Sequence, residues 1–206
     1  MVADKGLWYY GWTYHRFLDP GIKTVREAAL NLVTQGSSVL DIACGTGQLC
    51  FALKGRKDCR VAGVDLSLRM LRFAEKSNPY DDISFIHLDA TDLAGIGADS
   101  FDYATMLLLM HELPSEQQSR ALGEAVRVAG KVIIIDANVP LPRNFNGMEI
   151  RIVEATFGRD HNHHFKSFLA NGGINGIMER SRLPVTVVHR SPFLHKCREV
   201  VMLSKP

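Results

Sequence analysis

Short runs of apolar, β-favouring residues alternate with helix-like stretches through the first two thirds of the sequence. The runs are SSVLDIA (37–43), RVAGVDL (60–66), ISFIHLD (83–89), FDYATMLLLM (101–110) and KVIIIDA (131–137). Helices are predicted before the first run, at 21–33, and between the others, at 47–53, 67–77 and 114–129. Near-continuous apolar strands that alternate with helices indicate an α/β fold with a parallel sheet covered on both faces.

The sequence after residue 137 breaks this alternation. A proline-containing loop leads to a predicted helix at 147–158 and to a partly helical stretch at 165–181. Two β-like runs follow, LPVTVVHR (183–190) and CREVVMLSK (197–205). The link between them is shorter than the dozen or so residues that a helical crossover needs, so these strands are predicted to be antiparallel.

The composition fits one globular domain of 206 residues, with 46% apolar and 22% charged residues. We expect a single domain (1–206) with N-terminal cap helices at 1–35, a cofactor-binding core at 36–137, a lid at 138–182 and a strand hairpin at 183–206. No apolar run approaches the roughly 20 residues that span a bilayer, and the N-terminus lacks the pattern of a signal peptide.

The net charge indicates which partners the chain could bind, and the cysteine content indicates its compartment. The 24 basic and 22 acidic side chains give a net charge of +2, which is not the basic surplus of a duplex-binding protein. No nucleic-acid partner is therefore expected. The four cysteines form no CxxC pair and no zinc spacing, which predicts a reduced, cytoplasmic chain in which Cys44 and Cys50 pack as small apolar residues.

The stretch VLDIACGTGQL (39–49) places a glycine turn directly after the first predicted strand. A dinucleotide fingerprint has the form G-x-G-x-x-G/A, followed by an acidic residue about 20 positions later. Gly45 and Gly47 fit its first two glycines, but Cys50 is too large for the third position. Asp65 supplies the later acid, at a place where it can accept hydrogen bonds from two ribose hydroxyls.

Asp41 decides between the nucleotides that such a turn could bind. A carboxylate in the mouth of the turn would repel a pyrophosphate, whereas it would stabilise an ammonium or sulfonium group near the ribose. The neighbouring glycines allow a ligand to approach the backbone closely. The expected ligand is therefore a cationic adenosine, of which S-adenosylmethionine is the common one.

Five segments together resemble the successive motifs of class I S-adenosylmethionine-dependent methyltransferases. They are VLDIACGTG, VAGVDLSLRML, FIHLDATDL, FDYATMLLLMHELP and VRVAGKVIIIDANVP. The sequence is most similar to small enzymes of the ubiquinone/menaquinone-biosynthesis group, over roughly residues 9 to 137. The resemblance implies a Rossmann-like, seven-stranded, mostly parallel sheet of order 3-2-1-4-5-7-6, with strand 7 antiparallel and helices on both faces.

The resemblance also implies roles for the residues of the glycine turn. Asp41, Gly45, Thr46 and Gly47 would hold the methionine part of the cofactor. Asp65 would bind the ribose diol.

Further cofactor contacts follow from the later motifs of the same family. Leu66 and Met70 would pack against the ribose and adenine. Asp89 would accept a hydrogen bond from the adenine amino group, with the backbone of Ala90 beside the ring. Leu107, at the end of the fourth strand, would offer its carbonyl oxygen to the amino group of the cofactor.

Tyr14 lies in WYYGWTYHRFLDP (8–20), where similar enzymes place a tyrosine that closes over the cofactor. An aromatic ring near a sulfonium is a reasonable cation–π partner. Simple packing of an N-terminal helix explains Tyr14 equally well.

The methyl acceptor is expected beyond the carboxyl ends of the strands, where ligands bind in open parallel sheets. His111 and Glu112 follow the fourth strand there, and Asp136 and Asn138 end the fifth. His111 is the first candidate for a catalytic or substrate-orienting role, because methyl transfer needs a base only when the acceptor must lose a proton. The alternative is that His111 and Glu112 merely cap the strand.

The histidine-rich DHNHHF (160–165) invites a metal interpretation. Within one helix, however, a single ion would take two protein ligands at best from Asp160, His161, His163 and His164. A helix-entry segment that lines the substrate cleft is favoured over a metal site, with His164 and Phe165 facing the acceptor.

Four apolar residues could form an acceptor pocket or belong to the core, and base rates favour the core: Met106, Met110, Phe165 and Phe168. In the first case the acceptor would be small and partly apolar. Two other functions stay open: an NAD-dependent oxidoreductase, which Asp41 and Cys50 argue against, and a non-catalytic module that binds S-adenosylmethionine.

Overall fold

The structure, a computed structural model, describes residues 11–19 and 21–206, without the side chain of Phe17. Part of the expected N-terminal cap (1–35) therefore lies outside the described residues. The strands are β1 Ser38–Ile42, β2 Arg60–Asp65, β3 Ser84–His87, β4 Phe101–Leu107, β5 Ala129–Ala137, β6 Thr186–Phe193 and β7 Arg198–Ser204. The helices are α1 Gly11–Thr13, α2 Lys23–Leu32, α3 Gln48–Lys57, α4 Leu68–Ser77, α5 Ser115–Val128, α6 Phe145–Thr156, α7 Arg159–Ala170 and α8 Gly173–Ser181. A π-helical turn spans Tyr14–Leu18, and a 3₁₀ turn spans Met110–Glu112.

The seven strands form one sheet of order β3-β2-β1-β4-β5-β7-β6. Strands β1 to β5 are parallel, and β7 runs antiparallel to both β5 and β6. The expected α/β topology, including the reversed last strand, is confirmed. The order also reverses direction between β1 and β4, and such a switch point opens a crevice at the carboxyl ends of the strands.

Apolar residues cover both faces of the sheet. In β5, Val132 and Ile134 pack with one core cluster, whereas Ile133 and Ile135 pack with the other. Helices α5, α7 and α8 contribute to the first cluster, and α2, α3 and α4 contribute to the second. Since successive strand residues point to opposite faces, two covered faces require the near-continuous apolar runs seen in the sequence.

Several element boundaries differ from the sequence prediction. Helix α3 continues to Lys57, beyond the predicted end at residue 53, and Asp58 ends it in the left-handed region at φ 51°. The third strand is shorter than expected because β3, at the edge of the sheet, pairs with β2 alone. The histidine-rich stretch 160–165 lies wholly within α7.

Helices α6, α7 and α8 connect the end of β5 to β6. Helix α7 packs on the 3₁₀ turn that follows β4, and α6 packs on α7. The three helices therefore bring side chains from residues 145–181 to the carboxyl end of the sheet, where the crevice opens.

Candidate active site

A cleft open to solvent, with an empty volume of about 440 Å³, lies at the carboxyl ends of β1 and β4. Five of the residues expected to bind cofactor line it: Tyr14, Asp41, Gly45, Thr46 and Leu107. Its other described lining residues are Asp19, Ile22, Val25, Arg26, Ala43, Cys44, Gln48, Leu49 and Leu108. This is the switch point of the sheet, where open α/β folds bind their ligands.

The glycine turn between β1 and α3 needs the conformational freedom of glycine. Gly45 and Gly47 have φ values of 54° and 76°, in the left-handed region. A Cβ atom on Gly47 would also lie 2.9 Å from Cζ of Phe85 and 3.0 Å from Cζ of Phe51. The turn thus keeps its backbone accessible and packs tightly against the aromatic rings behind it.

Asp41 lies in β1 and is only 3% exposed. Thr105 Oγ1 donates to Asp41 Oδ1 over 2.6 Å, and Cys50 Sγ donates to Oδ2 over 3.6 Å. Burial, with a smaller contribution from the negative charge of Asp65, raises the pKa of the Asp41 carboxyl to about 7 against the opposing effect of these two donors. The floor of the cleft therefore holds a carboxylate that lacks a full countercharge.

Asp65 ends β2 and is held by two backbone donors. The N–H of Gly45 donates to Oδ2 over 2.8 Å, and the N–H of Ser67 donates to Oδ1 over 2.7 Å. The carboxylate is thus fixed beside the glycine turn, although the turn follows a different strand.

An ionic hub that the sequence did not predict lies at the opposite wall of the cleft, around Asp19. Asp19 Oδ1 accepts from Arg26 Nη1 over 3.1 Å, and Asp19 Oδ2 accepts from Thr46 Oγ1 over 2.7 Å. His15 Nδ1 lies 2.9 Å from the same Oδ2 atom. The hub ties the segment before α2 to the glycine turn. Only the spacing of Asp19 and Arg26 around the start of α2 could have signalled it.

The expected adenine contacts lie around α4 and after β3, apart from the lining of the cleft. Met70 is buried in the first turn of α4, where Ser67 Oγ accepts from its N–H over 3.3 Å. Leu66 and Ala90 are partly buried. Asp89 Oδ1 accepts from the backbone and the hydroxyl of Thr91, each over 2.8 Å.

His111 is buried in the turn after β4, and its ring faces carboxylates on both sides. Nδ1 lies 2.7 Å from Asp136 Oδ1, and Nε2 lies 3.3 Å from Glu154 Oε2. The same Glu154 oxygen lies 2.7 Å from Nε2 of His161, and Arg198 Nη2 donates to its other oxygen over 3.2 Å. Residues from β5, α6, α7 and β7 thus meet around one imidazole.

The pKa shifts in this cluster favour a protonated His111 and an ionised Glu154. Burial lowers the pKa of His111, but the carboxylates of Asp136 and Glu154 outweigh it and hold that pKa well above its ordinary value. Burial likewise opposes ionisation of Glu154, but the two histidines and Arg198 hold its pKa below the ordinary range. Burial of the Glu112 carboxyl raises its pKa, and this effect is larger than that of the same two histidines, which lower that pKa.

The structure corrects two expectations about α7. Phe165 is 1% exposed and packs against the His111 ring at 5.5 Å between centroids, so it faces the core and not an acceptor. His164 Nδ1 bonds the backbone oxygen of Glu112. The spacing of 161, 165 and 168 puts these three side chains on the one buried face of the helix.

The sequence left open whether four apolar residues line an acceptor pocket or belong to the core. The structure places all four in the core. Met106, Met110, Phe165 and Phe168 are each at most 1% exposed and belong to the cluster that includes α5, α7 and α8. Cys44 and Cys50 are buried free thiols, as expected. Among the described residues, no helix is long and apolar enough to cross a membrane.

Comparison with known proteins finds similarity to methyltransferases. Residues 39–131 match the profile of the family described as methyltransferase domain. A demethylmenaquinone methyltransferase from Bacillus licheniformis is 27% identical over 155 residues, which cover 71% of this chain and 66% of that relative. The chain thus spans slightly less than two thirds of the relative's length.

Solved structures agree with the fold. A methyltransferase in complex with the Haloferax volcanii Trm112 methyltransferase activator superimposes with a TM-score of 0.70 at 18% identity, over 100% of both chains. A SAM-dependent methyltransferase from Aquifex aeolicus gives a TM-score of 0.65 at 19% identity, over 94% of this chain and 98% of that one. Residues 39–131 thus match a methyltransferase domain, the sheet has the fold of the solved methyltransferases, and the chain is similar to enzymes of the menaquinone-pathway group.

Proposed function

We propose that this protein transfers the methyl group of S-adenosylmethionine to a small, partly apolar acceptor. The observation that carries the proposal is the pairing of two carboxylates, Asp41 and Asp65, around an open glycine turn. Asp41 disfavours a pyrophosphate at this position and favours a cation, while Asp65 suits a ribose diol. In the transfer, the acceptor atom attacks the methyl carbon, the carbon–sulfur bond breaks, and the sulfonium becomes the neutral thioether of S-adenosylhomocysteine.

The polar groups of the cleft match the charges of the cofactor's methionine part. Asp41 faces its cationic groups, and the backbone of Gly45 and Gly47 lets that part approach the turn. Arg26, already oriented by Asp19, would receive the carboxylate. Asp41 would thus serve both positive charges of the cofactor, and Arg26 its negative charge.

The nucleoside would extend from Asp65 towards α4. Leu66 and Met70 would pack on the ribose and adenine, and Asp89 would accept from the adenine amino group beside the backbone of Ala90. This assignment rests on the family motifs and on the position of these residues next to Asp65.

Tyr14 and Leu107 would close the methionine end of the site. Both line the cleft, and burial followed by the charge of Glu112 raises the pKa of the Tyr14 phenol, so the ring stays neutral. A neutral aromatic ring offers its face to a sulfonium. The carbonyl of Leu107 would accept from the ammonium group.

We assign His111 to the acceptor side of the site, as a positioning residue. Both of its ring nitrogens face carboxylates in this conformation, so it has no lone pair directed into the cleft with which to remove a proton. Its contacts instead hold α6 and α7, which form the proposed lid (138–182), against the ends of β4 and β5. An acceptor that is already ionised, or a carbon nucleophile that loses its proton later, would need no base here.

The acceptor is proposed to be partly apolar because of the surface that α6 presents. Phe145, Met148 and Ile152 lie three to four residues apart on this helix and are 74%, 56% and 60% exposed. The relative from Bacillus licheniformis is named for a quinone-type acceptor, which agrees with an apolar substrate class. A cytoplasmic enzyme that acts on small molecules and not on nucleic acids fits the near-neutral charge.

A methyl-release assay tests this proposal against a non-catalytic binding module. S-adenosylmethionine with a labelled methyl group should yield S-adenosylhomocysteine and a labelled product with at least one member of a panel of quinols, phenols, amines and thiols. Cofactor binding without turnover on any acceptor class would favour the binding module, and turnover only of reduced nicotinamide would favour the oxidoreductase.

A further inference from the structure

Three ligand-type side chains from separate parts of the sequence converge beside the proposed acceptor site. They are His111 in the turn after β4, Glu154 in α6 and His161 in α7, and we call them the His–Glu–His cluster. One potential ligand atom from each lies within 4.8 Å of the others, and all three residues are buried. Helix residues 160–164 alone would offer an ion at most two ligands. His111 and Glu154 come from other parts of the fold.

His111 turns both ring nitrogens towards carboxylates. Asp136 Oδ1 is 2.7 Å from Nδ1 and also accepts from the N–H of Ala137, so Nδ1 carries a proton. Nε2 lies 3.3 Å from the carboxylate oxygen of Glu154. In the imidazolium form Nε2 donates a second N–H to Glu154, whereas in the neutral form its lone pair is available to bind a cation in place of that proton.

His161 approaches the same carboxylate oxygen. Its Nε2 lies 2.7 Å from the Glu154 oxygen that His111 also approaches. The other Glu154 oxygen accepts from Arg198. One carboxylate oxygen and two imidazoles therefore meet in one place, with one potential ligand atom from each residue within 4.8 Å of the others.

These spacings suit a coordinated ion. A metal held at about 2.0–2.2 Å by nitrogen and oxygen ligands keeps neighbouring ligand atoms about 3 Å apart. The two observed distances to Glu154 Oε2, 2.7 and 3.3 Å, bracket that value. The outer contacts are also those of a metal site, since a ligating histidine typically donates its other N–H to a carboxylate, as His111 does to Asp136.

The charge around the cluster favours a cation. Asp136 and Glu154 are two buried carboxylates, and Arg198 donates to one of them. With neutral histidines, these three side chains carry a net negative charge, which a bound cation would offset. The rings of Phe157, Phe165 and Phe168 surround the histidines and shield the position from water.

We propose that His111, Glu154 and His161 bind one divalent transition-metal ion. Two imidazoles and one carboxylate are the donor set of zinc, iron, manganese and cobalt sites, and not of calcium or magnesium sites. The ion cross-links α6 and α7 to the end of β4 and so sets the position of the lid. The inference is independent of the proposed methyl transfer, because it uses none of the cofactor residues.

Metal titration of the full-length chain, with any affinity tag removed, tests the inference. The chain is stripped with a chelator and titrated with Co²⁺, followed by visible absorption, and with Zn²⁺, followed by thermal unfolding. We expect saturation at about one equivalent, visible Co²⁺ bands of a nitrogen- and oxygen-ligated site, and a rise in Tm with Zn²⁺. Absence of a saturable signal with both ions overturns the inference.

Variants assign the signal to the cluster. His161→Gln should abolish it, and Asp136→Asn should weaken the affinity by about 10- to 100-fold. The matched control is His163→Gln, because His163 is exposed in the same helix and should leave the titration unchanged. A Co²⁺ signal that survives His161→Gln unaltered contradicts the site.

Crystals of the wild-type chain test the metal site even if a variant does not fold. Crystals of the wild-type chain grown with Co²⁺ should give an anomalous peak between the three side chains, and a peak elsewhere or none overturns the inference. Calorimetry with S-adenosylhomocysteine on the same metal-free protein reports separately on the cofactor site. Loss of either property alone therefore identifies which of the two proposals has failed.

Discussion

Replacing Asp41 with asparagine is expected to weaken S-adenosylmethionine binding by about 10- to 100-fold while stabilising the cofactor-free protein at pH 8. A hydrogen bond to a charged group contributes about 1.5–3 kcal/mol, and the variant loses the charged partner of the cofactor. The amide keeps the shape of the side chain and an oxygen to accept from Thr105. Calorimetry measures the affinity, and thermal unfolding measures the stability.

The gain in stability from Asp41→Asn should become larger as the pH rises. The pKa of Asp41 is about 7 in the folded chain, above the ordinary value of 3.8, so the folded state binds more protons than the unfolded state between those values. Stability therefore falls as pH rises through this window, and asparagine removes the loss. We expect the variant to be more stable by about 1–3 kcal/mol at pH 8, roughly 3–10 °C in Tm, and little changed near pH 4.

Asp102→Asn is the matched control. Asp102 is also an aspartate of the sheet, but the hydrogen bonds to its carboxylate favour the charged form. The backbone and side chain of Ser38 donate to it and hold its pKa below the ordinary value. Its replacement should bring no gain in Tm at pH 8 and leave cofactor affinity unaltered. Equal affinity of wild type and Asp41→Asn for the cofactor would mean that Asp41 is a structural residue only.

Asp65→Ala is expected to reduce cofactor affinity by at least about 100-fold in a chain that still folds. The carboxylate would accept from two ribose hydroxyls, each bond contributing about 1.5–3 kcal/mol. It also fixes the glycine turn through the N–H of Gly45, so its loss loosens the turn as well. Calorimetry with S-adenosylhomocysteine measures the effect, and circular dichroism checks the fold.

A ranking of variants separates the ribose contact from general damage. Asp89→Ala removes one proposed bond to adenine and should cost about tenfold, less than Asp65→Ala. Binding of Asp65→Ala at wild-type strength would refute the ribose assignment.

The sequence predicted those parts of the site that one short stretch of chain determines. Asp41 lies near the end of β1, and Gly45 and Gly47 follow that strand, so their spacing alone places them at its carboxyl end. Asp65 ends the neighbouring strand, and the parallel pairing of β1 with β2 brings it to the same edge. The antiparallel pairing of the last two strands followed from their short link, whereas the strand order was implied by the resemblance to methyltransferases.

The remaining features depend on which elements pack against each other. The periodicity of α7 indicates that His161 and Phe165 share a face, but it does not say that Glu154 and His111 lie opposite that face. The bond from Thr46 to Asp19 likewise joins residues 27 positions apart. Tertiary packing, rather than local pattern, creates the ionic hub at Asp19 and the His–Glu–His cluster.

Calorimetry of the wild-type chain with S-adenosylmethionine, S-adenosylhomocysteine and NADH tests most directly whether the cleft accepts a cationic nucleoside and not a dinucleotide. Both adenosyl ligands should bind with one site per chain. Binding of S-adenosylmethionine should weaken as pH falls below about 7, where Asp41 takes up a proton. NADH should give no saturable heat. Saturable binding of NADH together with no heat from either adenosyl ligand would contradict the account.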